Sequence, residues 1–314
     1  MSTDEMEWKA GFACLVGRPN AGKSTLTNAL VGDKVAITSS KPQTTRHTIR
    51  GIVTRERERE QVVLVDTPGL HKPRTLLGER LNDLVRETLL EVDVIGFCLP
   101  ADQRIGPGDT FIAKDLAELQ RAKRVPVVAV ATKADTVDKE RLAEHLIAID
   151  QLGDWAAIVP CSAVRGDQVD DVLAVLAEHL PPSPAPLYPE DTLTDEPDER
   201  MIAELVREAA LEGVRDELPH SLAVVVEEIV PREGRPDDDP MLDVRVHVFV
   251  ERDSQKAIII GRGGSRLREV GTQARAGIER LLGQKVFLDL HVKVAKDWQR
   301  DPKQLGRLGF DFNN

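Results

Sequence analysis

The sequence predicts two domains of different class: an α/β domain with a mostly parallel sheet and helices on both faces, then a smaller α+β domain. Three observations carry this. From Gly11 to about Leu180, unbroken apolar runs alternate with amphipathic helical stretches, and an apolar run without polar alternation marks a strand buried on both faces. The stretch PPSPAPLYPE, Pro181 to Glu190, holds five prolines in ten residues, which excludes helix and central strand and marks a linker. Beyond it the order changes to helix, two strands, two helices around a glycine turn, and a last strand. The expected boundaries are a tail over 1–10, the first domain over 11–180, a linker over 181–197, and the second domain with its tail over 198–314.

Taken in order, FACLVG, QVVLVD, VIGFCL, VPVVAVA and AAIVPCS read as the strands of the parallel sheet, separated by helical segments such as TLTNALVG and ERLAEHLIAID. After the linker, a helix is expected over about 199–215, strands over 221–230 and 242–252, and a final strand over 285–294. The loop PREGRPDDDPM between the first two of these strands is rich in proline and aspartate, which makes a solvated connection rather than a tight hairpin.

At 314 residues the chain exceeds one ordinary core. Its 41% hydrophobic and 30% charged residues are those of a globular protein. No apolar run approaches the roughly 18 to 20 residues of a membrane span. The start MSTDEMEWKA is acidic where a secretory leader is basic and then apolar, so a cytoplasmic protein is expected; the expected oligomeric state is a monomer. Cys14, Cys98 and Cys161 are odd in number, far apart and flanked by apolar residues. They read as small buried hydrophobes rather than a disulfide framework or zinc site. The net charge of −11 argues against nucleic acid only if it is evenly spread, and it is not. Residues 187–240 hold 5 Lys and Arg against 17 Asp and Glu, a net of −12, whereas 241–314 hold 14 against 9, a net of +5. A basic region on an acidic chain implies a local polyanion site.

GRPNAGKST, Gly17 to Thr25, fits G-x-x-x-x-G-K-[ST] between a strand and a helix. Backbone N–H groups along Asn20, Ala21, Gly22, Lys23, Ser24 and Thr25 face phosphates in such a loop. Lys23 reaches the β and γ oxygens and Ser24 offers a hydroxyl to Mg²⁺. A chance match in a loop is the bland alternative, and the flanking strand and helix argue against it. DTPG, Asp66 to Gly69, ends the strand QVVLV. Asp66 can serve Mg²⁺ and the Gly69 amide can sense a γ-phosphate. Downstream, TKAD and CSA each follow a strand. Thr132, Lys133 and Asp135 with Ser162 and Ala163 form a guanine-reading set. Asp135 can accept from two donors on the guanine edge and the Ala163 amide can donate to its carbonyl oxygen, whereas adenine would leave these groups unpaired.

SSKPQTTRHTIRG, Ser39 to Gly51, is polar, and reads as a first switch loop with Thr45 closing on Mg²⁺ when the γ-phosphate is present. The second switch begins at Asp66. Lys23, Thr45 and Gly69 are thus the catalytic candidates. Leu70 stands where a related enzyme would carry a water-orienting glutamine, and leucine cannot orient water. His71 beside it could be proposed as a base, but a histidine in a switch loop is more often solvated.

IIIGRGGSRLREV, Ile258 to Val270, cannot be a dinucleotide fingerprint, because the position of its third glycine holds Arg266, nor a second P-loop, because Gly-Lys-Ser/Thr is missing. What remains is a Gly-x-x-Gly turn, Gly261 to Gly264, between two helices. In an RNA-binding KH module such a turn brings the backbone close to a phosphodiester chain beside a groove for about four unstacked bases. Lys256, Gly261, Arg262, Gly263, Gly264, Arg266 and Arg268 are the candidates to bind RNA there. A plain helical corner with solvated arginines is the structural alternative.

The order P-loop, DTPG, x-K-x-D, SA resembles the GTPases of the translation-factor-like class, and the second half resembles a type II KH domain. Thr132 departs from the asparagine that usually opens the guanine motif. With QTTRH, DTPGLH, YPED and ELPHS, the chain resembles the Era family from Gly11 to Phe310. That resemblance implies a GTPase for small-subunit ribosome maturation, binding the 3′ end of the small-subunit ribosomal RNA and the 30S subunit, and associating peripherally with the inner membrane face. It implies Mg²⁺ with GTP or GDP as ligand, hydrolysis that is slow without a partner or cation, and K⁺ held by Asn20. Two other readings stay open: an RNA-binding scaffold with a structural nucleotide, and a membrane-acting GTPase.

Overall fold

The computed structural model describes residues 7–38, 45–70, 75–212, 214, 218–236 and 239–310. Backbone contacts divide the chain into two compact units, one lying within residues 1–195 and the other formed chiefly by 196–314.

The first unit is a sheet of β1 (Trp8–Val16), β2 (Ile49–Arg55), β3 (Glu60–Asp66), β4 (Val94–Pro100), β5 (Val127–Thr132), β6 (Ala157–Pro160) and the short β7 (Pro182–Ser183). The order is β2-β3-β1-β4-β5-β6. The pairs β1–β3, β1–β4, β4–β5 and β5–β6 are parallel, and β2 runs antiparallel to β3. Its helices are α1 (Lys23–Val31), α2 (Leu76–Glu91), α3 (Pro107–Lys123), α4 (Lys139–Asp150) and α5 (Val169–Glu178). Of the runs read as strands, β4 and β5 expose nothing, whereas the edge strand β6 is only partly buried. One apolar layer joins Leu15, Leu64, Val128 and Val130 to Leu26 of α1 and Leu176 of α5. The opposite layer joins Val16, Phe97 and Val127 to Val85 of α2, Ile112 and Leu116 of α3 and Ile149 of α4. Parallel strands covered in this way gather their carboxyl ends at one edge, and the loops there form the crevice in which such sheets bind ligands.

The second unit contains α6 (Asp198–Leu211), the one-turn α7 (Leu218–Ser221), β8 (Ala223–Pro231), β9 (Met241–Val250), α8 (Asp253–Ile260), α9 (Ser265–Leu282), β10 (Lys285–Val294) and α10 (Pro302–Arg307). Its sheet has the order β10-β9-β8, with β10 parallel and β8 antiparallel to β9 and a bulge between Val226 and Glu228. Along β9 the side chains of Val244, Val246, Val248 and Val250 turn inward onto Ile202 of α6, Ile259 of α8, and Val270 and Ile278 of α9.

Several sequence expectations need correction. β1 begins at Trp8, inside the stretch assigned to the tail, with Lys9 paired to Glu60. Ile49 to Gly51, assigned to the first switch, open β2, an edge strand whose alternation of polar and apolar residues hid it. The first helix of the second unit stops at Leu211 rather than near 215. The proline-rich segment is not featureless. Pro182 and Ser183 pair with Lys9 and Trp8, and the amide of Gln61 accepts from the Tyr188 N–H and donates to its carbonyl, both at 2.9 Å. The Ile52 N–H then donates to Leu193 O at 2.8 Å. Proline lacks an N–H, but its carbonyls and the N–H groups between prolines still pair along a sheet edge. Ser39 to Thr44, His71, Glu217 and two of the three aspartates at 237–239 lie outside the described residues, as do the side chains of Pro219 and His220.

Candidate nucleotide site and nucleic-acid turn

The loop after β1 and the first turn of α1 form the phosphate cradle. Asn20 and Gly22 take left-handed backbone angles, φ 63° and 90°, turning successive amides toward one side before α1 begins at Lys23. Lys23 is buried and donates to the carbonyls of Gly17 at 3.3 Å and Arg18 at 3.2 Å. Gly69 packs so closely on this loop that a Cβ there would lie 2.8 Å from the Pro19 nitrogen. A side chain would push the start of the second switch away from the phosphates.

The three residues expected at a metal meet. Ser24 Oγ donates to Asp66 Oδ2 at 2.6 Å, Thr45 Oγ1 donates to the same oxygen at 3.3 Å, and the two hydroxyls lie 3.0 Å apart. Asp66 is fully buried, and its Oδ1 has no hydrogen-bond partner among the described residues. A buried carboxylate oxygen without a donor, beside two hydroxyls, is a hard-oxygen set of the kind Mg²⁺ takes. Burial pushes the Asp66 carboxyl up from its ordinary value, opposed by Lys23 and the two hydroxyls. Burial pushes Lys23 down, opposed chiefly by Asp66.

On the other side of the crevice, Asp135 follows β5 and accepts from Ser162 Oγ at 2.7 Å. Ser162 in turn accepts from the Arg165 N–H at 3.2 Å. The Ala134 N–H donates to Cys161 O at 3.1 Å, joining the two guanine-side loops directly. Ser162 thus orients the Asp135 carboxylate, a role the sequence did not assign it. Lys133, left-handed at φ 56°, pairs with Asp102 at 3.0 Å. Thr132 donates its hydroxyl to Ala21 O at 2.6 Å, so the residue in the asparagine position ties the base side to the phosphate loop.

Leu70 is buried among the apolar residues of the sheet's second layer, with Val16, Val65 and Val85. An aliphatic side chain at that place cannot orient water. The three cysteines are buried. Burial pushes Cys98 up to about 12 and Cys161 up to about 11, and raises Cys14 as well, which keeps these thiols protonated and inert.

In the second unit Gly261, Gly263 and Gly264 all have positive φ (72°, 59° and 79°) in a tight turn between α8 and α9. The three differ in surroundings. A Cβ on Gly261 would meet the Arg266 Cβ at 2.7 Å, whereas Gly263 and Gly264 face open space. Arg262 and Arg268 are exposed and Lys256 partly so. Arg266 differs from the sequence expectation: its guanidinium donates to the carbonyls of Ala209 and Glu212 at the end of α6 and pairs with Glu269. It braces the turn from behind, and its donors are directed into the fold.

Sequence reasoning missed Arg18, whose Nε donates to buried Asp109 at 2.7 Å. It also missed Asn28, which accepts from the N–H groups of Val35 and Ala36 and donates to Ala36 O, fixing the chain that leads to the first switch. An acid at the third position of a helix after Gly-Pro signals a cap for α3, but no local pattern names a partner 91 residues away.

Comparison with known proteins bears on both units. A family model described as a 50S ribosome-binding GTPase matches residues 12–133, and a KH-domain model matches 217–299. GTPase Era of Streptomyces coelicolor is 68% identical over 307 residues, covering 96% of this chain and 95% of that protein. GTPase Era of Mycolicibacterium smegmatis is 63% identical over 305 residues, covering 97% and 99%. A crystal structure of Era in complex with MgGDPNP and nucleotides 1506–1542 of 16S ribosomal RNA superposes with TM-score 0.90 at 36% identity, covering 96% of this chain and 99% of that one. Aquifex aeolicus Era bound to GDP and aluminium fluoride gives the same values. With a P-loop site and a KH module on one chain, and relatives this similar over nearly its whole length, the chain belongs to the Era family of GTPases.

Proposed function

We propose that this GTPase acts as a nucleotide-dependent switch that binds the 3′ end of the small-subunit ribosomal RNA through its glycine turn and assists maturation of the 30S subunit. The observation that supports it most is the full-length likeness to a relative solved with both MgGDPNP and 16S ribosomal RNA.

In this reading the amides from Asn20 to Thr25 and the Lys23 ammonium hold the β and γ phosphates, and Gly69 donates its amide to the γ-phosphate. Asp135 and the Ala163 amide select guanine. Ser24, Thr45 and Asp66 would hold Mg²⁺, which when bound neutralises phosphate charge. With Leu70 buried, the attacking water lacks an orienting side chain. Hydrolysis is therefore slow alone and rises with a partner or with K⁺ held by Asn20. Equal turnover in Na⁺ and K⁺ buffers would remove the cation from this account.

Arg262, Arg268 and Lys256 supply charge to the strand, and Gly263 gives the close backbone approach. Peripheral association with the inner membrane face is carried by the family resemblance alone, and flotation with anionic vesicles tests it; light scattering tests the expected monomer. The central test is binding of an RNA carrying the small-subunit 3′ end. Gly263→Asp places a carboxylate against the phosphates with no atom within contact, at a left-handed φ of 59° that aspartate adopts more readily than most residues, and should weaken binding about 10- to 100-fold. Equal binding by the variant would sink the assignment. Gly261→Asp is the wrong probe, because its Cβ collides with Arg266 inside the fold.

A further inference from the structure

Arg18 sits in the phosphate loop, yet its guanidinium turns away from the cradle. Its Nε donates to Asp109 Oδ1 at 2.7 Å, with the Asp109 side chain 1% exposed and the Arg18 side chain 26%. The other Asp109 oxygen, Oδ2, accepts from the Gly106 N–H at 2.9 Å and so caps α3. Both carboxylate oxygens are thereby committed, one to the helix and one to the loop. The stem of Arg18 lies against Gly108, where a Cβ would come within 2.7 Å of the Arg18 Cδ. Sterics at Gly108 and charge at Asp109 together fix the path of this side chain.

The backbone of Arg18 is what the nucleotide site uses. Its carbonyl accepts from Lys23 Nζ and from the Ala21 N–H, each at 3.2 Å. The next residue, Pro19, is the surface on which Gly69 packs. One side chain therefore anchors the stretch of loop that holds Lys23 on one side and seats the second switch on the other. A charge-assisted hydrogen bond at this distance to a buried carboxylate is among the stronger single tethers available, and a phosphate loop fixed before binding loses less entropy on binding.

We propose that Asp109 is a positioning residue for the GTPase reaction: it holds Arg18, and through the Arg18 carbonyl keeps Lys23 and the phosphate-facing amides in register. Neither Asp109 nor the Arg18 guanidinium touches the phosphates in this account; they act through the loop backbone.

The test uses the full-length protein and three variants: Arg18→Ala, Asp109→Asn and the double variant. Asn at 109 keeps an oxygen able to accept from the Gly106 N–H, so the α3 cap survives while the charge is lost. Arg18 lies partly at the surface, so its truncation is the milder route to the same break. Each single variant should release a fluorescent GDP analogue about tenfold faster, equivalent to about 1.4 kcal/mol, and raise the KM for GTP by a similar factor. kcat should stay within about threefold and Tm of the nucleotide-free protein within about 3 °C. The double variant should match the singles, because the two residues form one tether. Release rates within twofold of the parent would overturn the proposal. So would multiplying effects in the double variant, or a large loss of Tm with release from the folded fraction unchanged.

Discussion

At Thr132 the hydroxyl donates to Ala21 O at 2.6 Å, and both residues are buried. The side chain that stands in place of the usual asparagine therefore ties the loop after β5 to the loop after β1 across 111 residues of sequence. Thr132→Ala leaves a buried carbonyl without its donor, a loss of about 1 to 3 kcal/mol. GDP affinity should fall about ten- to hundredfold. Preference for guanine over adenine should persist, because Asp135 is still oriented by Ser162. Calorimetric titration with GDP and ADP reads both quantities, and unchanged GDP affinity would show the hydroxyl to be idle. The same residues mark the limit of reading a sequence. The identity and order of Lys23, Ser24, Asp66 and Asp135 mark a candidate nucleotide site because the chemistry such a ligand demands restricts the residue types. The partners of Thr132, Arg18 and Arg266 are fixed by the fold, and nothing local in the chain announces them.

Among the elements, the strands buried on both faces were legible, and the edge strand β2 was not. β3, β4 and β5 are unbroken apolar runs because helices cover both sides. β2 faces a neighbour strand on one edge only and tolerates Arg50 and Thr54 among its apolar residues. The pairing of the linker escaped notice for a related reason, since it uses backbone groups and one buried glutamine. Gln61, 0% exposed, satisfies the Tyr188 amide at both ends and donates to Thr54 Oγ1 at 2.9 Å. Gln61→Leu preserves much of the volume but leaves those groups unpaired. It should cost about 2 to 3 kcal/mol, lowering the Tm of the first unit by about 4 to 12 °C. A scan that overlays the parent would show that the strap contributes nothing to stability.

A second element-scale prediction concerns the open face of the β8-β9-β10 sheet. His247 lies between Glu227 at 3.0 Å and Lys293 at 3.1 Å, edge-on to Phe249 and His291, with Arg245 nearby. Burial and then Lys293 hold its pKa below the ordinary 6.5, with Glu227 opposing. A depressed value means the neutral ring is the form the fold prefers. The associated stability is full above pH 6.5 and is lost as pH falls below it. Denaturant midpoints at pH 7.5 and 5.5 should differ more for the parent than for His247→Gln. If the two proteins respond alike, the ring's titration is irrelevant to folding.

For the whole molecule, charge and linkage matter more than any single contact. The chain carries −11 overall yet +5 over residues 241–314, so attraction to RNA is confined to the region holding the glycine turn while the remainder repels it. Affinity should fall steeply with salt, and removing Arg262 or Arg268 should each reduce the slope of log K against log salt by about 1. If nucleotide state and RNA binding are coupled, they must be coupled reciprocally: the factor by which GTP tightens RNA equals the factor by which RNA tightens GTP. A coupling of about 1 to 3 kcal/mol would appear as a change of roughly 5- to 150-fold in each titration. Measuring RNA affinity with a non-hydrolysed GTP analogue and with GDP, and the affinity of each nucleotide with and without RNA, closes the cycle. Equal factors above about 5 establish a switch. Factors of one in both directions would mean two independent binding proteins on one chain, and the switch would have to be given up even with both sites intact.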